Sequence, residues 1–302
     1  MRISRAVAKK MELRECYVHV GDRDVEEELS PFVELVISGA NCFLRAKEEI
    51  YEDELLCVSP VLFGYVPPKT HRGATLDRKS VSAMCECLAK YILDKQYLLE
   101  NSANERPLLR KYMEEFSDRI SIEGQLNSIE LIAKLIGDHS YINPAENSIE
   151  LMGVGTFIQH ACAPNVAILR QQAFPMFTFR SIRRLAKSER LCVSSIPFPL
   201  DSRDVRRRLL GFECECYVCK EDRPSSHELL KITDNELLIT TLFVRSERHC
   251  WMCGREQIHY RCVGCYWAIF CSAECYALNC KRCAHEEICE ELGRRTRNVI
   301  LE

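Results

Sequence analysis

Apolar residues between positions 32 and 66 fall into short runs rich in β-formers. The runs are "FVELVI", "CFLRA" and "ELLCVSPVLFGYV", with Gly39 and Pro60 among them. Because β-branched and aromatic residues favour strands while Gly and Pro mark turns, this pattern predicts short strands joined by turns.

Two later stretches follow a helical period instead. In "VSAMCECLAKYILDKQYLL" (81–99) and "SIELIAKLI" (128–136), apolar residues recur every three to four positions, as on the buried face of an amphipathic helix. Residues 151–195 return to short apolar runs broken by Pro164 and Pro175. The order β, then α, then β predicts an α+β fold with helices inserted into a sheet framework.

Composition limits the classes of function. With 302 residues, of which 47% are hydrophobic, the chain is long enough for one larger domain and one small one. Its net charge of −3 gives no overall attraction to nucleic acid. The basic run "RSIRRLAKSER" (180–190) is typical of a solvated face, so the sequence argues against direct nucleic-acid binding.

The sequence also bears on the compartment. "MRISRAVAKKMELREC" at the start lacks the apolar segment of a secretory signal, and no stretch approaches the roughly 18 apolar residues that span a bilayer. We therefore expect a soluble protein of the nucleus, the cytoplasm or both, without a membrane partner. In those reducing compartments 19 cysteines are not a disulfide framework, and closely spaced pairs indicate metal binding.

Eight potential zinc ligands follow one another near the end of the chain. Zinc prefers four nitrogen or sulfur ligands in a tetrahedron, and two cysteines separated by two residues reach one ion. A histidine and a cysteine four positions apart share one face of a helix. The eight residues are Cys250, Cys253, Cys262, Cys265, Cys271, Cys275, His285 and Cys289. They predict two zinc ions.

A third metal site is predicted upstream. "FECECYVC" (212–219) contains Cys214, Cys216 and Cys219, which are close enough to share one ion but number only three. A closed structural site needs a fourth ligand. The best candidate is Cys162 in "QHACAPN" (159–165), which raises the expected zinc content to about three per chain.

A weak internal repeat links two segments. "EIYEDELLCVSPVLF" (49–63) and "KITDNELLITTLFV" (231–244) share Ile, then Asp or Asn before Glu-Leu-Leu, at the same spacing. Both segments are predicted to be amphipathic strands. A true repeat would make residues 229–302 the beginning of a second copy of the same module, and the alternative is a chance match between the two strands.

Residues 250–289 resemble the MYND zinc finger. The resemblance lies in the order of the eight ligands, in Phe270 before Cys271 and in the final His-x-x-x-Cys. It implies interleaved pairing, whereas the spacing alone also allows sequential pairing. The implied sets are Cys250, Cys253, Cys271 and Cys275 for one ion, and Cys262, Cys265, His285 and Cys289 for the other. Cys280 and Cys283 form a further pair that we treat as spare.

The upstream motifs carry a second resemblance. "HACAPN" followed by "FECECYVC" is similar to the Asn-His-Ser-Cys-x-Pro-Asn motif and post-SET cysteines of SET-domain lysine methyltransferases. With the finger, the chain resembles the SET and MYND (SMYD) family over roughly residues 30–290. This implies an S-adenosylmethionine site, a narrow lysine channel and a post-SET zinc that completes the substrate cleft.

Two domains follow from the resemblance. Residues 1–228 are predicted to form a divergent SET domain with a helical insertion at about 78–140 and a post-SET zinc segment at 212–220. Residues 229–302 are predicted to form a short SET-like strand segment followed by the MYND finger (250–289). In the family the finger interrupts the SET domain after its first strands, so we interpret its late position here as the start of a truncated second module.

The implied cofactor site is partly retained. Gly39 matches the first glycine of the cofactor turn, and Asn41 replaces the second; Asn tolerates a left-handed φ. Gln159 replaces an Asn that contacts the cofactor, and Phe212 matches an aromatic that packs on it. The implied cofactor-binding residues are Gly39, Asn41, Gln159, His160, Asn165 and Phe212.

Ser195 is the departure that bears most on catalysis. The family uses a tyrosine hydroxyl on the late strand where "VSSI" (193–196) stands here. A lysine of pKa about 10.4 is neutral in only about one part in a thousand near pH 7, so the site must select and orient the neutral amine. Tyr217 and Tyr141 are candidate substitutes, and the catalytic residue is left unassigned.

Two functions follow. The favoured one is an S-adenosylmethionine-dependent protein-lysine N-methyltransferase acting on a histone or another protein, with an activity that these departures can weaken. The alternative is a catalytically inactive zinc-binding adaptor or transcriptional regulator whose finger binds a peptide partner.

Overall fold

The structure is a computed structural model. It describes residues 11–13, 16–20, 28–38, 41–66, 140–143, 148–152, 154–171, 176–235, 238–239, 241–242 and 248–300. The chain divides into two compact units. The first contains residues 1–30, 57–157 and 170–178, and the second contains residues 31–56, 158–169 and 179–302.

The described strands are short apart from one of 12 residues. They are β1 (Met11–Leu13), β2 (Cys16–Val20), β3 (Glu28–Leu29), β4 (Val33–Ser38), β5 (Asn41–Ala46), β6 (Leu55–Val66), β7 (Ser140–Asn143), β8 (Ser148–Met152), β9 (Gln159–His160), β10 (Val166–Gln171), β11 (Met176–Ser181), β12 (Cys192–Val193), β13 (Tyr260–Arg261) and β14 (Ile269–Phe270).

The described helices lie mostly in the last third of the chain. The α-helices are α1 (Arg203–Leu210), α2 (Tyr217–Lys220), α3 (Ala273–Cys283) and α4 (His285–Ile300), and the 3-10 helices are Val154–Phe157 and Ser225–Lys231. Among these described helices, none combines the length and the apolar character needed to span a bilayer. Sheets and helices together fit the predicted α+β class.

The first unit is an antiparallel sheet built around β6. Strands β2, β3 and β8 pair with β6, while β1 extends β2 and β7 extends β8. Pro60 lies inside β6 instead of ending a strand, so the turn predicted there is wrong. The register of β6 against β8 shifts between Val61 and Phe63. A proline has no N–H for the ladder, and such an irregularity accommodates it.

Three strand pairs belong to the second unit. Strands β4 and β5 pair antiparallel, with Ser38 opposite Asn41, which confirms the strands predicted around residues 33–46. The short strands β13 and β14 pair antiparallel. The pair β9 and β12 is parallel and joins segments that are more than 30 residues apart. This last pair organises the predicted cofactor loop.

The strand predicted at 231–244 is wrong where the structure describes it. Residues 225–231 form a 3-10 helix, and residues 238–239 and 241–242 are helical. Leu238 and Leu242 are both almost fully buried, and they are four positions apart. That spacing fits one face of a helix or of a strand, but the Ile239 N–H donates to the Asn235 carbonyl at 3.0 Å, which is the hydrogen bond of a helix.

One hydrophobic core in the second unit crosses the predicted domain boundary at residue 228. Ala167, Ile182 and Phe198 pack in the same buried cluster as Trp251 and Phe270. The segment after residue 228 therefore shares a core with the segment before it. The predicted helical insertion lies outside the described residues from 78 to 139, and residue 140 begins β7.

Candidate functional site

The predicted cofactor loop, residues 159–165, lies beside the late segment around Ser195. In the pairing of β9 with β12, Gln159 is opposite Cys192 and His160 is opposite Val193. The Ala161 N–H then donates to the Val193 carbonyl at 2.9 Å. The structure thus brings together the two segments that the sequence analysis assigned to one site.

The loop of residues 159–165 and the segment of residues 189–195 lie against each other, and we call this contact the crossing. The side chain of Asn165 fixes the crossing. Its amide nitrogen donates to Glu189 Oε1 and to the Arg190 carbonyl, each at 2.9 Å, and its oxygen accepts from the Cys192 N–H at 2.7 Å. Both N–H donors of the amide are therefore engaged within the protein. Asn165 is a buried positioning residue that holds residues 189–192 against the loop.

His160 is held on both sides. Its Nδ1 accepts the backbone N–H of Ser195 at 3.0 Å, so we assign the proton of the neutral ring to Nε2, which lies 3.4 Å from the Sγ of Cys162. Burial lowers the pKa of His160 to about 4; the charge of Arg206 also lowers this pKa, whereas Cys216 raises it. The neutral ring connects Ser195 to a cysteine cluster.

Phe212 is a further predicted residue beside this ring. The Phe212 and His160 ring centroids are 6.1 Å apart, with the ring planes at 83°. Phe212 is 52% exposed and borders an open groove with Arg207, Arg208 and Glu213. The exposed part of its side chain is accessible to a bound molecule.

Gln159, the first residue of the loop, is half-buried. It accepts a long hydrogen bond from Arg190 Nη1 at 3.4 Å, and the Arg190 guanidinium lies 4.1 Å from the Phe43 ring centroid. Gln159 thus faces the same segment that Asn165 holds.

The remaining predicted positions are less complete. Gly39 lies outside the described residues, and Asn41 is described only as the first residue of β5. Ser195 is exposed. Of its two candidate substitutes, Tyr217 donates its hydroxyl to Glu228, while the side chain of Tyr141 lies outside the described part.

Three groups of cysteine and histidine side chains converge in the second unit. Within each group, the candidate ligand atoms lie within 4.8 Å of one another. The first cluster is Cys162, Cys214, Cys216 and Cys219; the second is Cys250, Cys253, Cys271 and Cys275; the third is Cys262, Cys265, His285 and Cys289. These are the predicted groupings, and the second and third clusters are interleaved in sequence; Cys280 and Cys283 belong to none of the three.

The donor separations fit tetrahedral zinc. With Zn–S bonds of about 2.3 Å, two thiolates of a tetrahedron lie about 3.8 Å apart. In the first cluster, Cys162 Sγ lies 3.4 Å from Cys219 Sγ and 3.9 Å from Cys214 Sγ. In the third, His285 Nε2 lies 3.4 Å from Cys262 Sγ and 3.7 Å from Cys265 Sγ. That the clusters hold zinc stays a prediction.

The thiols of the first cluster influence one another electrostatically. Hydrogen bonds with Cys214 and Cys216, together with burial, raise the pKa of Cys162, whereas hydrogen bonds from Cys162 and Cys214 lower the pKa of Cys216. A bound cation would allow all four to be thiolates.

Arg206 adds a positive charge beside the first cluster. Its buried guanidinium donates to the carbonyls of Leu200 (2.8 Å) and Asp201 (2.5 Å), and Nη2 lies 3.7 Å from the Sγ of Cys219. The sequence analysis missed this residue. Arg206 is one of three consecutive arginines, and nothing in the sequence distinguishes the buried one.

The third cluster depends on close contact between helix α4 and the turn from Cys262 to Cys265. A Cβ at Gly293 would lie 2.5 Å from the Gly264 carbonyl oxygen, and a Cβ at Gly264 would lie 2.7 Å from the Sγ of Cys289. Only glycine fits both positions. The glycine in the middle of α4 is a sequence signal for such an approach, and it was missed.

Comparison with known proteins gives one family. No match to the chain was found among curated proteins. A solved structure, the SET domain of LSMT bound to lysine and AdoHcy, matches with a TM-score of 0.30 and 9% identity, and a likeness that low carries no argument. The match covers 60% of this chain and 52% of the LSMT chain. The SET domain model matches residues 41–194, about half of the sequence and including the whole loop of residues 159–165. The chain therefore belongs to the SET domain family.

Proposed function

We propose that this protein is an S-adenosylmethionine-dependent protein-lysine methyltransferase of the SET and MYND type. The observation that carries the proposal is the joined arrangement of the loop 159–165 and the segment 189–195 within the SET family match. The substrate is a lysine of a histone or another protein. The compartment is the nucleus or cytoplasm, where the cysteines stay reduced.

The chain's own residues would do the positioning. When bound, S-adenosylmethionine would supply a methyl group on a sulfonium; transfer to the neutral lysine amine would break the S–CH3 bond, leave S-adenosylhomocysteine and release a proton to water. Asn165 and His160 accept the backbone N–H groups of Cys192 and Ser195, and Phe212 offers an exposed aromatic side chain next to His160. Proximity and orientation provide the rate enhancement that this arrangement can give.

The three clusters are proposed as structural zinc sites. The first would be the post-SET zinc, held by Cys162, Cys214, Cys216 and Cys219, while the other two would belong to a MYND finger at residues 250–289. In each set all four positions are filled by protein ligands, which is typical of structural rather than catalytic zinc. The proposed zinc content is about three per chain.

Calorimetry with S-adenosylmethionine tests the proposed enzyme. We expect binding to the full chain, and a roughly tenfold loss of affinity in Phe212→Ala. Val263→Ala is the matched control because it shortens an exposed apolar side chain of the finger. No detectable binding at millimolar cofactor contradicts the proposal; where binding is found, transfer of labelled methyl to histones and other proteins identifies the substrate class.

One observation favours a second function. Ser195 has no phenol, and the Tyr217 hydroxyl is bound to Glu228. The finger exposes Tyr260, Val263 and Tyr266, apolar side chains suited to a peptide. A catalytically inactive zinc adaptor would therefore show peptide binding that depends on these residues, with no uptake of cofactor.

A further inference from the structure

The segment after the SET family match is bound to the finger at several points. The Asp201 N–H donates to the Trp251 carbonyl at 2.9 Å, and Arg208 Nη2 donates to the Cys253 carbonyl at 3.1 Å. These contacts place helix α1 and the residues before it directly against the turn from Cys250 to Cys253, which supplies two ligands of the second cluster.

A buried carboxylate makes the most specific of these contacts. Asp201 is 3% exposed, and Asn279 of helix α3 donates to its Oδ2 at 2.8 Å. The N–H of Ser226 donates to its Oδ1 at 2.7 Å. A carboxylate buried this deeply is stable only while such donors remain in place, so Asp201 requires helix α3 to be docked.

Helix α3 is in turn positioned by the finger clusters. Cys271 and Cys275 of the second cluster flank its start, where the Ser272 side chain accepts the Cys275 N–H at 3.2 Å. His285 of the third cluster lies two positions after its last residue, Cys283. Ligands on both sides of α3 therefore fix the helix that carries Asn279.

The other end of the connection reaches the first cluster. The carbonyl of Asp201 accepts from Arg206, whose guanidinium also lies against Cys219. Buried polar groups in one continuous series are interdependent, because each loses its partner when its neighbour moves. The series runs from Asn279 through Asp201 and Arg206 to Cys219.

We propose that the finger is an internal partner of the SET-containing segment, and that filling the second and third clusters with zinc stabilises zinc in the first cluster through Asn279, Asp201 and Arg206. This inference depends on the zinc sites of the proposed function but not on methyl transfer. It also explains the late position of the finger, since the finger packs on the residues that immediately follow the SET domain.

Site-resolved alkylation of the zinc-loaded full chain tests the connection. In Asn279→Ala, we expect Cys214 and Cys216 to react about tenfold faster than in the unmodified chain, as followed by peptide mass spectrometry; a tenfold change corresponds to about 1.4 kcal/mol. Asn279 belongs to none of the three clusters, and Leu278→Ala is the matched control on the same helix. An unchanged rate at Cys214 and Cys216 overturns the inference.

An exchange of the two side chains provides the rescue. In the double variant Asp201→Asn, Asn279→Asp, an amide and a carboxylate again face each other, and the amide oxygen can still accept from Ser226. We expect labelling within about twofold of the unmodified chain. If alkylation of Cys214 and Cys216 stays fast in the double variant, the hydrogen bond between residues 201 and 279 is not what connects the clusters.

Hydrogen exchange on the unmodified chain keeps the test independent of variant folding. Amides at Asp201, Cys219 and Trp251 should exchange with one common opening rate if the segments open as one unit. Independent exchange contradicts the inference. Metal analysis of the same samples separates the two proposals: no zinc in the unmodified chain overturns both, whereas full zinc with unchanged labelling overturns the internal partnership alone.

Discussion

The first cluster and the loop of residues 159–165 share Cys162, yet their side chains are used differently. In the cluster, four thiols from two distant segments converge, with their candidate ligand atoms within 4.8 Å of one another. In the loop, His160 and Asn165 direct their polar atoms at nearby groups of the protein. The first region gathers four potential zinc ligands, and the other is organised around the backbone of residues 189–195.

The difference shows which residue types reveal a binding site. Cysteine thiols are weak hydrogen-bonding groups, so four that converge indicate a metal. Histidine and asparagine form hydrogen bonds with many kinds of partner. In the loop of residues 159–165 they can therefore hold two segments of the chain together as well as contact a cofactor. His160 and Asn165 do the former in this structure, while the face of Phe212 stays exposed.

Removing the shared thiol is the strongest way to break the comparison. Cys162→Ser should reduce zinc from about three to about two per chain, because serine is a poor zinc ligand and structural zinc in peptides contributes about 10–16 kcal/mol of apparent binding energy. Metal analysis and the absorption of cobalt-loaded protein measure the loss. Cys280→Ser, outside the three clusters, should keep all the zinc. Unaltered cobalt spectra in Cys162→Ser would falsify the first cluster as a metal site.

Placing a charge in the crossing tests the other region. Asn165→Asp puts a second carboxylate beside Glu189 and removes two N–H donors, so we expect the free energy of unfolding to fall by about 3 kcal/mol. Denaturant titration measures the fall. Adding Glu189→Gln should restore part of the stability, since the new amide can donate to the carboxylate at 165. A neutral effect of Asn165→Asp would contradict the positioning role.

Cysteine spacing predicted which residues are candidate ligands, because spacing is a local property, whereas the interleaved grouping followed from the resemblance to the MYND finger. Even Cys162, about fifty residues from its partners, was found by counting three thiols where four are needed. The strand predicted at 231–244 failed for the opposite reason. Its apolar residues fit an alternating and a helical pattern equally well over a short run, and only the backbone hydrogen bond from Ile239 to Asn235 shows the helix.

Arg206 and Asp201 could not be predicted. Their importance comes from burial and from partners distant in sequence, such as Asn279 for Asp201, and charged residues are almost never buried without such partners. The same holds for the roles of His160 and Asn165. Residue type predicted that both matter, but only the pairing of β9 with β12 shows what they contact.

Glycine substitutions extend the comparison to the third cluster. Gly293→Ala should lower the free energy of unfolding by about 2 kcal/mol and weaken the third cluster, because its Cβ would overlap the Gly264 carbonyl. Gly211→Ala is the control: Gly211 has φ +73° but open space around it, so the expected cost is about 1 kcal/mol with zinc retained. Metal content and thermal unfolding of the two variants measure both effects, and equal zinc loss in the two would contradict the close-contact argument.

The smallest expected effect concerns Ser195, where the crossing meets the proposed chemistry. Ser195→Tyr should raise the rate of methyl transfer about tenfold, because a phenol beside the loop can orient the lysine amine. One well-placed hydrogen-bond donor contributes a factor of about 10²–10³ in rate, and a side chain newly introduced at this site should give only part of that factor. Ser195→Phe is the matched control, having the ring but no hydroxyl. The Ser195 N–H that bonds His160 is retained in both variants, so the crossing should stay intact. Equal rates in the tyrosine and phenylalanine variants would show that the missing hydroxyl does not limit methyl transfer.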